Sequence, residues 1–446
     1  MARKPALSRR RFFQAAGSIG AAAFVCPTIV PARALGAEGA KPASQRIAVG
    51  MIGVGRQAFM TNMKQFLAMP DVQLVAVCDV DSWRRDNAKR AIEQAYAGEK
   101  QAGTYRGCAA YVDYEELLAR KDIDAVMIST PDHWHAPMAL AAMKAGKDVS
   151  LEKPITRTIA EGRQLSDTAA KLKRVFRVDS ELRSTAGVHR AAELVRNGRI
   201  GKVRKVTVGV PLGDVACPPQ PEMPVPVELD YERWQGPAPR APYTEKRVHP
   251  PKSYERPGWM RHLFYCDGMI TNWGAHLDDG AMWCTGLERT GPVEIWGTGQ
   301  YPAADSFWNV LLNFEVNYRF ADGLEWTYRT EKPYFRIEGT EGWVLADFAS
   351  IKTEPASLMT AEIGPNETHF PRKTDKQDFI DSVKSRQDTL EPAEVGHRVT
   401  SLCHLGHIAI HLGQKLQWDP EAERFRDNDA ANTYIDKPIH EPRRAT

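Results

Sequence analysis

Apolar residues in the first third of the chain gather into short runs of strand length, with stretches of helical spacing between them. Residues 46–52 form such a run. It reads as a strand buried on both faces, and it ends in the turn Gly53-Val54-Gly55. Met60, Met63 and Phe66 then recur at the three-residue spacing of one helix face. The succession repeats. Residues 72–78 make a second apolar run, 114–118 a short helix, and 125–130 a third run stopped by Pro131. Residues 137–145 read as a helix with proline in its first turn and Gly146 as its cap. Residues 148–151 are the next strand and lead into Glu152-Lys153-Pro154. Strands alternating with helices predict a doubly wound parallel α/β sheet of the Rossmann kind over residues 46–155.

The pattern changes in the second half. Residues 156–176 read as a connecting helix, after which β-branched and aromatic residues dominate 203–210, 293–297, 310–320, 324–329 and 334–347. Turn signals stand at Ala321-Asp322-Gly323 and Gly339-Thr340-Glu341-Gly342. Helical stretches follow at 375–385 and 393–412. This half, residues 156–446, is expected to be an α+β sheet domain. A proline-rich insertion, 211–261, carries Tyr231, Trp234, Tyr243, Tyr254 and Trp259. It either stacks on sugar faces or packs on its own core or a partner subunit.

The amino terminus departs from both patterns. Ser8-Arg9-Arg10-Arg11-Phe12-Phe13 precedes a weakly apolar stretch, 15–30, and Ala32-Arg33-Ala34 offers a small-x-small cleavage site. That is the layout of a twin-arginine signal over residues 1–34. Gly17, Gly20 and Pro27 break the stretch, which is too short to span a bilayer. The expectation is a periplasmic or secreted protein, exported folded, with no membrane span in the mature chain. Charge follows suit. The chain has 59 basic and 56 acidic residues, and removing the six basic residues of 1–34 leaves 53 against 56, a net −3. No basic patch points to nucleic acid. Of the seven cysteines, Cys26 lies in the leader and the other six form no C-x-x-C pair, so no zinc site is expected. His404, His407 and His411 share one helix face, but the run supplies no acidic partner, and structural histidines are the better reading.

Candidate chemistry sits at the strand ends. Gly53-Val54-Gly55-Arg56-Gln57-Ala58 is a G-x-G-x-x-A fingerprint: Gly53 for the tight turn, Gly55 for approach to a pyrophosphate, Ala58 for helix packing. Asp79 ends the second strand, 26 residues after Gly53, where an acid accepts both ribose hydroxyls and repels a 2′-phosphate. NAD is therefore expected. NADP remains possible through Arg84 or Arg85, a turn further on.

These motifs, with Thr130-Pro131-Asp132-His133-Trp134-His135, Glu152-Lys153-Pro154 and Asn272-Trp273-Gly274-Ala275-His276, resemble the Gfo/Idh/MocA oxidoreductases, most of all their secreted members. The resemblance implies an open, mostly antiparallel second sheet that often mediates homo-oligomers. It implies that Lys153 reaches the reacting hydroxyl and that Glu152 helps hold the nicotinamide ribose. Arg56, Gln57, Thr130, Pro131 and His135 join the expected cofactor contacts, and Trp134, Arg183, Trp273 and Asp279 the expected substrate contacts. The family's Asp-x-x-x-His stretch reads Asn272-x-x-x-His276 here. The i,i+4 spacing puts the pair on one helix face, with His276 able to move a proton and Asn272 only to orient a hydroxyl. Asp278 and Asp279 are near enough to stand in. The implied reaction is NAD(P)-dependent oxidation of a sugar, glycoside or cyclitol hydroxyl, with a tightly bound, recycled cofactor. A redox-neutral glycosidase or lyase acting by transient oxidation and a non-catalytic sugar-binding protein are the alternatives.

Overall fold

The computed structural model of this chain describes residues 46–442, so the expected leader lies outside the described residues. The first six strands are β1 (Ile47–Ile52), β2 (Val72–Cys78), β3 (Ala109–Tyr111), β4 (Ala125–Ile128), β5 (Asp148–Glu152) and β6 (Phe176–Asp179). They form one parallel sheet in the order β3-β2-β1-β4-β5-β6. Helices α1 (Ser82–Ala95), α2 (His135–Lys144) and α3 (Ile159–Leu172) are among its crossovers. The order reverses at β1/β4, which opens a crevice above those two strand ends.

The expected boundary at 155/156 falls inside this sheet. Helix α3 is the crossover to β6 rather than a link between domains. It begins at a reciprocal cap, in which Glu161 N donates to Thr158 Oγ1 (3.2 Å) and Thr158 N to Glu161 Oε2 (3.2 Å). Strand β6 escaped the pattern because Arg177 interrupts its apolar run. Arg177 is fully buried and bonds Asp378 and Glu391, so its charge is neutralised far along the chain.

The second sheet has nine strands: β7 (Val203–Val210), β8 (Glu294–Gln300), β9 (Asn313–Arg319), β10 (Glu325–Thr330), β11 (Tyr334–Gly339), β12 (Trp343–Ala346), β13 (Ile351–Glu354), β14 (Leu416–Asp419) and β15 (Arg424–Phe425). Their order is β13-β12-β11-β7-β10-β9-β8-β14-β15, antiparallel except for the β7/β10 pair. Alternation decides the faces. Val206, Val208, Val316, Tyr318, Trp326, Tyr328 and Phe335 point inward and are buried. They pack in a core shared with α4 (Ala186–Arg196), α5 (Gly274–Thr285) and, beyond α6 (Asp375–Ser385), α7 (Ala393–Leu412). Helix α6 instead returns to the first sheet, where Phe379 and Ile380 pack with Val49 and Met51. The halves therefore interlock.

The insertion builds a small core from Leu229, Trp234, Ala238, Tyr243 and Val248, closed by Tyr265 just beyond it. The tail joins α3 by a hydrogen bond from Ala160 N to Ile435 O (2.9 Å). Cys78, Cys108, Cys217, Cys266, Cys284 and Cys403 are buried free thiols. No helix among the described residues is long and apolar enough to cross a membrane.

Candidate active site

The ends of β1, β2, β4 and β5 open onto a cleft of about 1040 Å³ that reaches across to Asn272, Trp273 and His276 of the second half. Its floor is built for close approach of a ligand. Gly53 has φ +78°, and a Cβ there would lie 2.8 Å from the Ser129 carbonyl and the Thr130 nitrogen, backbone atoms that cannot give way. At Gly55 a Cβ would meet only Arg84 Nη1, at 3.7 Å, so the backbone faces open cleft. Asp79 holds the turn, accepting from Val54 N (2.8 Å) through one carboxylate oxygen and from Asp81 N (2.9 Å) through the other. Burial pushes its pKa up, against these two hydrogen bonds. Each oxygen keeps a lone pair for a ribose hydroxyl. Arg56, Gln57, Thr130 and Pro131 line the same cleft. These features fit a dinucleotide.

His135 lines the cleft too, but its ring is fully engaged. Nδ1 faces the Pro154 carbonyl at 2.7 Å and Nε2 the Thr130 carbonyl at 2.8 Å, so it braces the ends of β4 and β5 and has no ring nitrogen left for a cofactor. Burial lowers its pKa, while both carbonyls favour the protonated ring. Glu152 is 5% exposed and accepts from Asn62 Nδ2 at 2.8 Å. Lys153 Nζ donates to the Asn272 carbonyl at 3.3 Å. A short turn, Met269–Asn272, leads through Trp273 (φ −95°, ψ −28°) into α5 at Gly274, so the backbone stays right-handed helical between Asn272 and His276. Both line the cleft with Trp273.

His276 is set up to take a proton. Its Nδ1 bonds the Ser180 carbonyl, which only accepts, so Nδ1 carries the hydrogen and Nε2 keeps its lone pair. Burial holds its pKa well below the ordinary imidazole value, and the Lys153 charge adds to the effect. The ring is neutral at pH 7.

Two expected substrate contacts are elsewhere. Arg183 and Asp279 are buried against each other, 2.6 Å apart, and neither reaches the cleft. A fully buried guanidinium needs a carboxylate partner, and this pair satisfies both charges. Asp278 cannot stand in either: it accepts from Trp326 Nε1 at 3.0 Å, and burial raises its pKa well above the carboxylate range. Trp134 lines the cleft with its indole N–H donated to the Trp234 carbonyl at 3.0 Å. The α7 histidines have neighbours of their own. His407 lies 3.2 Å from Asp267 and 2.9 Å from the Tyr301 hydroxyl, and His404 Nε2 lies 3.2 Å from the Thr156 carbonyl.

Three further contributors reach the cleft: the sequence passes over Asp132, offers Arg84 only as a 2′-phosphate partner, and leaves the insertion between stacking on sugars and packing. Asp132 is 2% exposed and lines the cleft. Its Oδ2 has no partner among the described residues, and burial pushes its pKa up to about 8. The Asp132-His133-Trp134-His135 run marked the place but not this residue. Arg84 turns back to the fingerprint, held by the Ser253 carbonyl (2.7 Å) and by Asp81 (3.5 Å).

The third contributor is the insertion, which crosses the cleft and is tied down along one side. Ser82 N donates to Glu228 O (2.8 Å), Asp230 N to Val80 O (3.0 Å), and His249 contacts Asp81 (3.0 Å). Tyr254 stacks on Phe59 with ring centroids 4.4 Å apart. Trp259 and Trp234 line the enclosed space.

Comparison with known proteins agrees with this geometry. Residues 47–180 match the oxidoreductase-family NAD-binding Rossmann fold, and 185–445 match the C-terminal alpha/beta domain of the same family. Two solved structures share the fold at 18% identity: an aldose-aldose oxidoreductase from Caulobacter crescentus (TM-score 0.59, 83% of this chain and 99% of that one) and a levoglucosan dehydrogenase complexed with NADH and L-sorbose (TM-score 0.60, 84% and 99%). A glycosyl hydrolase family 109 protein of Saccharopolyspora erythraea is 36% identical over 161 residues, 36% of this chain and 34% of its own length. An alpha-N-acetylgalactosaminidase of Shewanella oneidensis is 34% identical over 181 residues, 38% of each chain. The chain thus spans little more than a third of these curated relatives. With both domain types matched in order along almost all of its described length, the chain belongs to the Gfo/Idh/MocA family of NAD-binding oxidoreductases.

Proposed function

We propose that this protein oxidises a hydroxyl of a sugar, glycoside or cyclitol with an NAD that stays in the cleft from one turnover to the next. The observation that carries the reading is the insertion tied across the cleft by Glu228, Asp230, His249 and Tyr254. Release of a dinucleotide requires those contacts to open. Bound NAD supplies a hydride acceptor at the nicotinamide C4. The protein supplies the rest. His276 Nε2 takes the hydroxyl proton. Lys153 donates to the same oxygen and stabilises the negative charge that grows as the proton leaves. Asn272 fixes a neighbouring hydroxyl. The Arg9-Arg10 leader supports export of the folded, loaded protein, where free dinucleotide is scarce and a resident one must be restored in place.

Restoration can come from a second sugar or from the same one. The relatives named for glycosidase activity favour the latter as a second reading. A sugar carbon is oxidised, the neighbouring C–H becomes acidic, the glycosidic bond leaves by elimination, water adds, and the carbon is reduced again. The net change is hydrolysis. Product analysis separates the two. Incubation with a panel of glycosides, a free aldose as hydride acceptor and no added dinucleotide should give an oxidised glycoside with an equal amount of reduced aldose under the first reading, and a free, unoxidised sugar under the second. Unchanged sugars throughout would contradict both.

A further inference from the structure

Beside His276, the turn between β12 and β13 carries a partly exposed phenylalanine that packs against two residues of the cleft. Phe348 is 37% exposed. Its ring stands 5.4 Å from that of His276 and 5.7 Å from that of Trp273, nearly perpendicular to both (77° and 81°). Trp273 and His276 also meet edge to face, at 6.2 Å. Rings so arranged bound a corner instead of closing into a stack, and Trp273 and His276 already line the cleft.

The turn itself is rigid. Asp347 Oδ1 accepts from Ala349 N (2.8 Å) and Ser350 N (2.6 Å), and Oδ2 from Ser350 Oγ (3.0 Å). Below it, a Cβ at Gly187 of α4 would lie 3.2 Å from the Ser350 carbonyl, so helix and turn are in close contact. A ring held in place at the rim of a carbohydrate cleft pays little ordering entropy on binding. Its flat apolar surface suits the face of a sugar or aryl ring.

We propose that Phe348, with Trp273, holds the second ring of a glycoside, its aglycone or neighbouring sugar, just outside the ring that reacts at His276. The substrate class is then a glycoside, not a free monosaccharide or cyclitol. The inference rests on the functional reading above, because it takes the reacting ring to lie against His276.

The test compares p-nitrophenyl and methyl glycosides of the same sugars, across a panel, by isothermal titration into the NAD-loaded protein and by turnover. The two probes share the reacting ring, and only the first carries a second ring. The wild type should bind the p-nitrophenyl glycoside more tightly, and Phe348→Ala should weaken that probe roughly three- to tenfold. The methyl glycoside should be unchanged in Phe348→Ala, and Phe348→Tyr should restore the difference. A merely structural role would weaken both probes together. Equal loss of both, or no loss of either, overturns the inference and leaves the functional reading standing. If the wild type binds and converts no glycoside in the panel, the functional reading fails, and the inference with it.

Discussion

In the proposed reaction His276 takes the hydroxyl proton, and its environment sets its behaviour before any substrate arrives. One nitrogen is committed to the Ser180 carbonyl, and burial keeps the ring uncharged. A base must be neutral to act. Because its pKa in the folded protein lies well below the ordinary imidazole value of 6.5, the base form persists as pH falls through 6.5. We expect kcat/KM to hold level through pH 6.5 and to decline only at lower pH. A decline centred on 6.5 would mean that another group titrates. His276→Ala should cost roughly 10²–10⁴-fold in kcat, the range for a positioned acid or base, with the NAD content of the purified protein unchanged. Much at this scale is legible in the sequence, because glycines, strand-end acids and Glu-Lys-Pro are local signals. Arg183 and Asp279 are not. Whether a charge faces a cleft or a partner depends on contacts made 96 residues apart, which no local pattern encodes. His135 carries the same lesson in milder form, since it reached the expected cleft but spends both ring nitrogens on bracing strand ends.

Among the elements, the insertion is the one on which the proposal of a resident cofactor depends. Composition marks it as a proline-stiffened loop rich in aromatics and leaves open what those rings touch. The structure divides them. Tyr243 fills the small core, Tyr254 clamps Phe59, and Trp234 and Trp259 join that core to the cleft wall. Arg84 lies over the Tyr254 ring at 5.3 Å, so removal of that ring loosens two contacts of the Rossmann half at once. Tyr254→Ala should therefore speed loss of NAD during extended dialysis, read as the dinucleotide left per chain, while thermal unfolding of the dinucleotide-free protein shifts little. Retention equal to wild type would show that the strap does not hold the cofactor. Short edge strands were the other blind spot at this scale. β13 and β15 span four and two residues, too few to display alternation, and they exist because neighbouring strands offer free backbone groups.

At the scale of the whole molecule, the two halves exchange elements. Helix α6, read as part of the second half, completes the core under the first sheet, and β6 extends that sheet past the expected boundary. Chain order concealed this because long-range packing is not periodic. Halves joined in this way, with the proposed resident dinucleotide between them, suit the expected export in the folded state. Replacing Arg9 and Arg10 together with lysine should leave unprocessed protein in the cytoplasm, seen by fractionation and immunoblotting, because the translocase reads paired guanidinium groups. Normal export of that variant would contradict a twin-arginine route. The proposed chemistry requires a bound NAD that a sugar can reduce in place. The direct test is stopped-flow absorbance of the gel-filtered protein, with no dinucleotide added, mixed with a saturating glycoside from the converted set. Wild type should develop the reduced-nicotinamide band within one turnover, to no more than one equivalent per chain, and Lys153→Ala should carry the same NAD yet develop the band at least a hundredfold more slowly. Protein that emerges from gel filtration without NAD, or a Lys153→Ala variant that develops the band at the wild-type rate, would contradict it.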